Sequence, residues 1–146
     1  MYISKKENNL LSEEERVLNN NNFIENELII LKDYFDNMYV GIDNNIKLDI
    51  EQRIAILTDE DYNMIIAGAG SGKTTTIAGK VKYLVDIKKV EPSKICVMSY
   101  SRKTTEELRD RINIDFSIPA KVSTFHSLGY SYIREIYHNR KCYVVD

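Results

Sequence analysis

The glycine-rich stretch AGAGSGKTTT, at residues 67–76, constrains the fold of this chain more than any other feature. It follows the apolar run MIIA and precedes a segment with helical periodicity. Glycines at 68, 70 and 72 permit backbone angles that a Cβ forbids, and they let successive N–H groups converge on a phosphate chain at the start of a helix. A strand, a loop and a helix in this order predict a phosphate-binding site, and we call residues 67–72 the glycine loop.

The residues that follow the loop fit a nucleoside triphosphate. Lys73 supplies a positive charge for the β and γ phosphates, and Thr74 supplies a hydroxyl for Mg²⁺. The usual pattern, G-x-x-x-x-G-K-[ST], begins with glycine, whereas Ala67 occupies that place here. A small residue still fits, and the strand and helix on either side argue against an ordinary turn with an incidental lysine. We assign catalysis to Lys73 and Thr74, and nucleotide contacts to Ala67, Gly68, Ala69, Gly70, Ser71, Gly72, Lys73, Thr74 and Thr75.

Strand-like and helical segments alternate from residue 63 onward. The strand-like runs are NMIIA, KICVMSY, AKVSTF and CYVVD, and helical periodicity covers residues 75–86 and 104–112. This alternation predicts an α/β fold in which a parallel sheet has helices on both faces and binds ligands beyond the carboxyl ends of its strands. Cys96, inside KICVMSY, is expected to be a buried strand residue.

The first third of the chain is predicted to be helical. Ser12 and Glu15 have the spacing of a capping box, and apolar residues then recur at helical intervals as far as Met38. The asparagine run at residues 19–22 has poor helix propensity and predicts a break near Asn20. Residues 41–45 read as a turn, and a second helix is expected from Asp49, its N-cap, to Leu57.

Composition indicates one folded domain and narrows the choice of partner. The 146 residues are 43% hydrophobic, contain no apolar run of membrane-spanning length and begin without a secretory signal, so we predict a cytoplasmic protein without a membrane partner. The two cysteines form no C-x-x-C pair, which argues against a zinc site. Residues 1–60 carry six Lys/Arg against thirteen Asp/Glu, and residues 61–146 carry fourteen against nine. The basic half suits a polyanion, although scattered surface charge explains it equally well.

Three longer segments carry a resemblance to one family. LDIEQRIAILTDEDYNMIIAGAGSGKTTTI resembles the opening of superfamily 1 UvrD/Rep-like DNA helicases, ICVMSYSRKTTEELRDRI resembles their motif Ia, and VSTFHSLGYSYIRE resembles the T-F-H motif that follows. Their order and spacing agree over residues 48–146, and the arginine in YSRK looks closer to the helicase IV branch. The resemblance implies a RecA-like P-loop NTPase domain over residues 47–146, with ATP, Mg²⁺ and single-stranded DNA as ligands, after an acidic helical extension at residues 1–46.

The resemblance also implies roles for particular residues. Gln52 would read the adenine edge, and Thr124 and His126 would lie against the phosphate backbone of a single strand. We add the block after the second strand-like run, Tyr100, Ser101, Arg102 and Lys103, as nucleic-acid contacts. Tyr100 is either a stacking platform or rim packing, Arg102 and Lys103 are either phosphate contacts or surface charge, and Phe125 is expected in the core.

Several parts of such an enzyme are not visible in the sequence. A second motor domain and a Walker B acidic pair are missing, and Asp146 either begins Walker B or belongs to the element after the T-F-H motif. We therefore expect the N-terminal part of a larger ATP-dependent DNA helicase, inactive alone, whose N-terminal helices could bind a protein. The alternative function is a nucleotide-dependent module that grips nucleic acid or a protein without unwinding.

Overall fold

The computed structural model describes residues 12–137, which fold as a mixture of helices and a small parallel sheet in two compact units, residues 12–83 and 84–137. The helices of the first unit are α1 (Glu13–Ile30), α2 (Lys32–Asn37), α3 (Ile50–Leu57) and α4 (Lys73–Asp86), whose last turn enters the second unit. The second unit continues with β1 (Cys96–Ser99), α5 (Arg102–Arg109), β2 (Lys121–Thr124) and α6 (Phe125–Ile136).

Helix α1 begins at the predicted capping box. The Glu15 N–H donates to Ser12 Oγ at 3.2 Å, and the Ser12 N–H donates to the Glu15 carboxylate at 2.9 Å, which lowers the pKa of Glu15. The predicted break near Asn20 is wrong, because α1 runs through the asparagines and ends at Ile30. Asn20 is buried, and its amide donates to the Glu60 carboxylate at 3.3 Å. This tertiary contact offsets the poor helix propensity of the run.

Hydrogen bonds join helices α3 and α4 in the first unit. Asp49 caps α3 as predicted, by accepting the Gln52 N–H at 2.8 Å. Lys80 of α4 donates its ammonium protons to the carbonyls of Ile56 at 2.6 Å and Thr58 at 2.7 Å, which stabilises the C-terminal end of α3. The core of this unit consists of Phe35, Met38, Tyr39, Leu48, Ile56, Leu57, Ala78, Val81 and Tyr83.

The second unit holds the sheet. Strands β1 and β2 pair in parallel, with Cys96 opposite Lys121 and Ser99 opposite Thr124. Helix α5 contacts both strands and continues into a π-helical turn at Asp110–Asp115. The core consists of Ile95, Val97, Leu108, Ile112, Phe116, Ile118, Ala120 and Val122.

Two expectations about the strands are wrong. Cys96 lies in β1 but is exposed, as is Met98, so within the described residues β1 keeps one open face where helices on both faces were expected. The run NMIIA forms no strand, and Met64 and Ile66 are 84% and 87% exposed. A strand requires a neighbour to pair with, and an apolar run does not reveal whether that neighbour is present. The fourth run, CYVVD, lies outside the described residues.

Two further points concern organisation. Among residues 12–137, every helix is too short or too polar to cross a bilayer. The two compact units divide inside α4, whereas the sequence places a domain boundary between residues 46 and 47, and that boundary stays a prediction.

Candidate nucleotide site and nucleic-acid surface

The glycine loop owes its shape to two of its three glycines. Gly70 and Gly72 both have φ +75°, a region that L side chains rarely adopt, whereas Gly68 does not. Gly72 also permits a close approach, because a Cβ at this position would lie 2.5 Å from Gln52 Nε2. The expectation that all three glycines supply special backbone angles therefore holds for Gly70 and Gly72 and is wrong for Gly68.

Lys73 and Thr74 form the first turn of α4, where backbone N–H groups and the helix dipole favour an anion. The Lys73 ammonium is exposed and donates to the carbonyls of Gly68 and, at 3.2 Å, Ala67. The Thr74 hydroxyl makes no hydrogen bond to the described part of the chain. The first turn of α4 thus presents an exposed cation and an unbonded hydroxyl beside the glycine loop.

Gln52 connects α3 to the glycine loop. Its Oε1 accepts the Asp49 N–H at 3.0 Å and completes a capping box, while its Nε2 donates to the Ser71 carbonyl at 3.1 Å. The same side chain therefore stabilises the start of α3 and fixes the position of the loop. The structure brings Gln52 together with the loop, and the adenine role that the resemblance implies stays a prediction.

A cavity of about 260 Å³ opens between α3 and the start of α4. Its wall combines polar residues, among them Gln52, Ser71 and Lys73, with aliphatic side chains. It is lined by Asp49, Glu51, Gln52, Ala55, Ile65, Ile66, Ala67, Ser71, Lys73, Thr76 and Ile77. Sequence reasoning missed Ala55, Ile66, Thr76 and Ile77 as site residues. The helical spacing from Gln52 to Ala55 and from Lys73 to Thr76 and Ile77 could have indicated all of them except Ile66, which lies in no helix.

Mg²⁺ fits this site only in combination with phosphates. Within residues 12–137, His, Cys, Asp and Glu side chains form no group of three that could hold a metal ion. Mg²⁺ usually keeps several waters and binds through a few protein oxygens together with substrate phosphates. The unbonded Thr74 hydroxyl, next to Lys73 at the helix N-terminus, matches that requirement.

The predicted nucleic-acid residues lie at one edge of the sheet. Because β1 and β2 are parallel and Ser99 is opposite Thr124, the residues after both strands share the carboxyl edge. We call this set the strand-end cluster: Tyr100, Ser101, Arg102, Lys103, Thr124 and His126.

Side chains of the strand-end cluster differ in what they do. Tyr100 is 90% exposed, so it does not pack at the rim of the sheet within the described residues. Ser101 and Thr124 are helix caps that accept the N–H groups of Thr104 and Ser127 at 3.1 Å. Arg102, Lys103 and His126 are exposed and make no hydrogen bond or ion pair within the described residues.

Phe125 and Arg109 do not belong to the strand-end cluster, and the structure shows what each of them contacts or exposes. Phe125, expected in the core, is 58% exposed, because it is the first residue of α6, a helix that buries none of its residues. Arg109 donates to the Val122 carbonyl at 3.0 Å and so joins α5 to β2. Arg109 therefore has a structural role, and the exposed cations of this edge are Arg102 and Lys103.

Comparison with known proteins identifies relatives. The family described as UvrD/REP helicase N-terminal domain matches residues 48–143. A probable DNA helicase II homolog of Mycoplasma pneumoniae is 34% identical over 104 residues, which cover 68% of this chain and 14% of that protein. The ATP-dependent DNA helicase Rep of Buchnera aphidicola is 36% identical over 92 residues, covering 60% of this chain and 14% of Rep. The ATP-dependent DNA helicase PcrA of Staphylococcus aureus is 36% identical over 84 residues, covering 56% of this chain and 12% of PcrA. The chain thus spans only 12–14% of the length of these relatives.

Proposed function

The chain belongs to the UvrD/Rep helicase family, and we propose that it forms the ATP-binding part of an ATP-dependent DNA helicase that moves along single-stranded DNA. In this proposal residues 47–146 are the first part of a RecA-like P-loop domain, preceded by a helical extension at residues 1–46. The observation that carries the proposal is the contact of Gln52 with the glycine loop at Ser71, two residues before Lys73.

The phosphates would bind at the N-terminus of α4. Lys73 would exchange the carbonyls of Ala67 and Gly68 for the outer phosphates, because a phosphate carries full charge and a carbonyl does not. Thr74 would hold Mg²⁺, which when bound neutralises charge on the β and γ phosphates. Catalysis by these residues consists of positioning and electrostatic stabilisation of the transferred phosphoryl group.

The base would occupy the cavity beside the loop. Aliphatic walls from Ala55, Ile66 and Ile77 suit the faces of a purine, and Gln52 has a second amide proton beyond the one donated to Ser71. The Gln52 amide is the group that would contact the adenine edge. Adenine specificity would thus depend on a side chain that also positions the loop.

DNA would bind at the strand-end cluster. Arg102 and Lys103 are exposed cations without protein partners in the described part of the chain, which suits phosphates. Tyr100 exposes nearly all of its ring, which suits base stacking worth about 1–3 kcal/mol per base. Ser101, Thr124 and His126 would add polar contacts to the backbone.

The test compares Lys73→Ala with Lys94→Ala, an exposed lysine of the other unit. Calorimetry with Mg²⁺ should show that Lys73→Ala weakens binding of ATP more than binding of AMP, since the ammonium faces the outer phosphates. Lys94→Ala should bind both nucleotides as the unchanged chain does. Equal losses for ATP and AMP, or no loss, would contradict the assignment of Lys73.

A binding module that senses ATP without unwinding DNA is the second candidate. It is favoured by α1, which exposes the apolar side chains of Val17, Leu18, Ile29 and Ile30 and so offers a surface for a protein partner. The two candidate functions differ in how DNA affects ATP turnover. Single-stranded DNA should stimulate turnover by the longest natural form of the protein if it is a helicase. A turnover rate that DNA leaves unchanged would favour the module.

A further inference from the structure

A tyrosine outside every recognised motif contacts the helix that follows the glycine loop. Tyr39 lies between α2 and α3 and is only 2% exposed. Its hydroxyl donates to the backbone carbonyl of Thr75 at 2.7 Å. Thr75 directly follows Lys73 and Thr74, so this hydrogen bond reaches the first turn of α4.

The contact continues along the same face of α4. A Cβ on Gly79 would lie 3.2 Å from Met38 Sδ, 3.7 Å from the Tyr39 hydroxyl and 2.9 Å from Ile56 Cδ1. Residues four apart on a helix lie one above the other, so Thr75 and Gly79 present one face to the turn that carries Met38 and Tyr39. The absence of a side chain at Gly79 lets that turn approach the backbone of α4 closely.

The segment that carries Tyr39 is itself held on α3. Arg53 of α3 donates to the Asp36 carboxylate at 2.6 Å and to the Leu48 carbonyl at 3.0 Å, and its guanidinium lies 5.7 Å from the centre of the Phe35 ring. Hydrogen bonds from Lys32 and then Arg53 lower the pKa of Asp36. Residues 36–39 therefore contact α3 through Arg53 and α4 through Thr75, and the cavity opens between these two helices.

We propose that Tyr39 is a positioning residue for phosphate binding, because its hydroxyl fixes the first turn of α4 beside the glycine loop. This inference rests on the proposed binding of ATP. Tyr39 contacts no ligand itself, and it acts through the backbone that presents Lys73 and Thr74. The part of the predicted N-terminal extension that carries Tyr39 then supports the nucleotide site from outside, since a change in its packing alters the geometry that several converging phosphate contacts require.

The test uses Tyr39→Phe, which removes one oxygen and keeps the buried ring. Tyr62→Phe is the matched control, because Tyr62 lies in the same unit with a 96% exposed side chain. Calorimetry on the 146-residue chain should show Mg·ATP bound about twofold to tenfold more weakly by Tyr39→Phe, the range of one hydrogen bond. AMP binding should change by less than twofold, and Tyr62→Phe should match the unchanged chain.

A second measurement needs no nucleotide. Hydrogen exchange in residues 72–78 should be faster in Tyr39→Phe than in Tyr62→Phe, because the first turn of α4 has lost an anchor. Unchanged exchange, unchanged ATP affinity, or equal losses for ATP and AMP would each overturn the positioning role. If the unchanged chain does not bind Mg·ATP, or if Lys73→Ala binds it equally well, the proposed function fails instead, and hydrogen exchange still decides whether Tyr39 anchors α4.

Discussion

Replacing each glycine of the glycine loop by alanine should separate two physical costs that the sequence pattern combines. Gly68 lacks a positive φ, and a Cβ added to it would meet no atom within 4 Å, so Gly68→Ala serves as the control. Gly70 has φ +75°, and an added Cβ would meet open space. Gly72 has the same φ, but an added Cβ would lie 2.5 Å from Gln52 Nε2. Gly68→Ala thus carries neither cost, Gly70→Ala carries the backbone strain, and Gly72→Ala carries both the backbone strain and the clash with Gln52.

The magnitudes follow from those geometries. Alanine at a compatible site stabilises by about 0.4–1 kcal/mol, because the unfolded chain loses freedom, and this sets the expectation for Gly68→Ala. A left-handed backbone costs an L residue about 1–2 kcal/mol, so Gly70→Ala should lower the free energy of unfolding by about 1 kcal/mol after that gain. Gly72→Ala should also displace Gln52 from Ser71, and losing that hydrogen bond adds about 0.5–1.5 kcal/mol.

The assay is urea denaturation of the three variants without nucleotide, followed by calorimetry with Mg·ATP. Unfolding free energies should fall in the order Gly68→Ala, Gly70→Ala, Gly72→Ala. The double variant Gly72→Ala with Gln52→Ala should lose less than the sum of the two single losses, since both substitutions remove the same Gln52–Ser71 hydrogen bond. Equal losses at Gly70 and Gly72, or a loss at Gly68 as large as either, would refute the reasoning from the loop geometry.

Three further predictions concern other sites. Burial, and then the charges of Glu27 and Asp59, raise the pKa of Tyr83 to about 12, so folding favours the neutral phenol. Tyr83 should therefore leave the unfolding free energy unaffected below about pH 10. Between about pH 10 and pH 12 its titration in the unfolded chain should lower that free energy by about 1.4 kcal/mol per pH unit. Denaturation of Tyr83→Phe, compared with the unchanged chain, should lack this fall. Arg102→Gln should reduce the salt slope of single-stranded DNA binding by about 0.7, whereas Tyr100→Ala should weaken binding with little change of slope; an unchanged slope for Arg102→Gln would leave it a surface charge. Gln52→Ala should lower the preference for ATP over GTP in calorimetry, and no preference in the unchanged chain would remove the adenine role.

Local hydrogen bonding explains what could be predicted without a structure. The capping boxes at Ser12 and Asp49 each use donors and acceptors three residues apart, so their spacing predicts their geometry. The glycine loop is also encoded within a few residues, although α4 begins at Lys73, two residues before the predicted helix. The resemblance implied an adenine role for Gln52, and only the structure shows its hydrogen bond to Ser71 of the loop.

The sequence by itself therefore determined the starts of α1 and α3, the strand segments β1 and β2 and the residues of the glycine loop, because each depends on near neighbours along the chain. Only the tertiary structure decided that α1 continues past Asn20, that residues 63–67 form no strand, and that Tyr39 contacts Thr75. The contact of Asn20 with Glu60 spans 40 residues, and that of Tyr39 with Thr75 spans 36. A strand at residues 63–67 would depend on whether a neighbouring strand is present. Periodicity records which side chains are apolar, but the free energy of a distant contact depends on what the folded chain places opposite them.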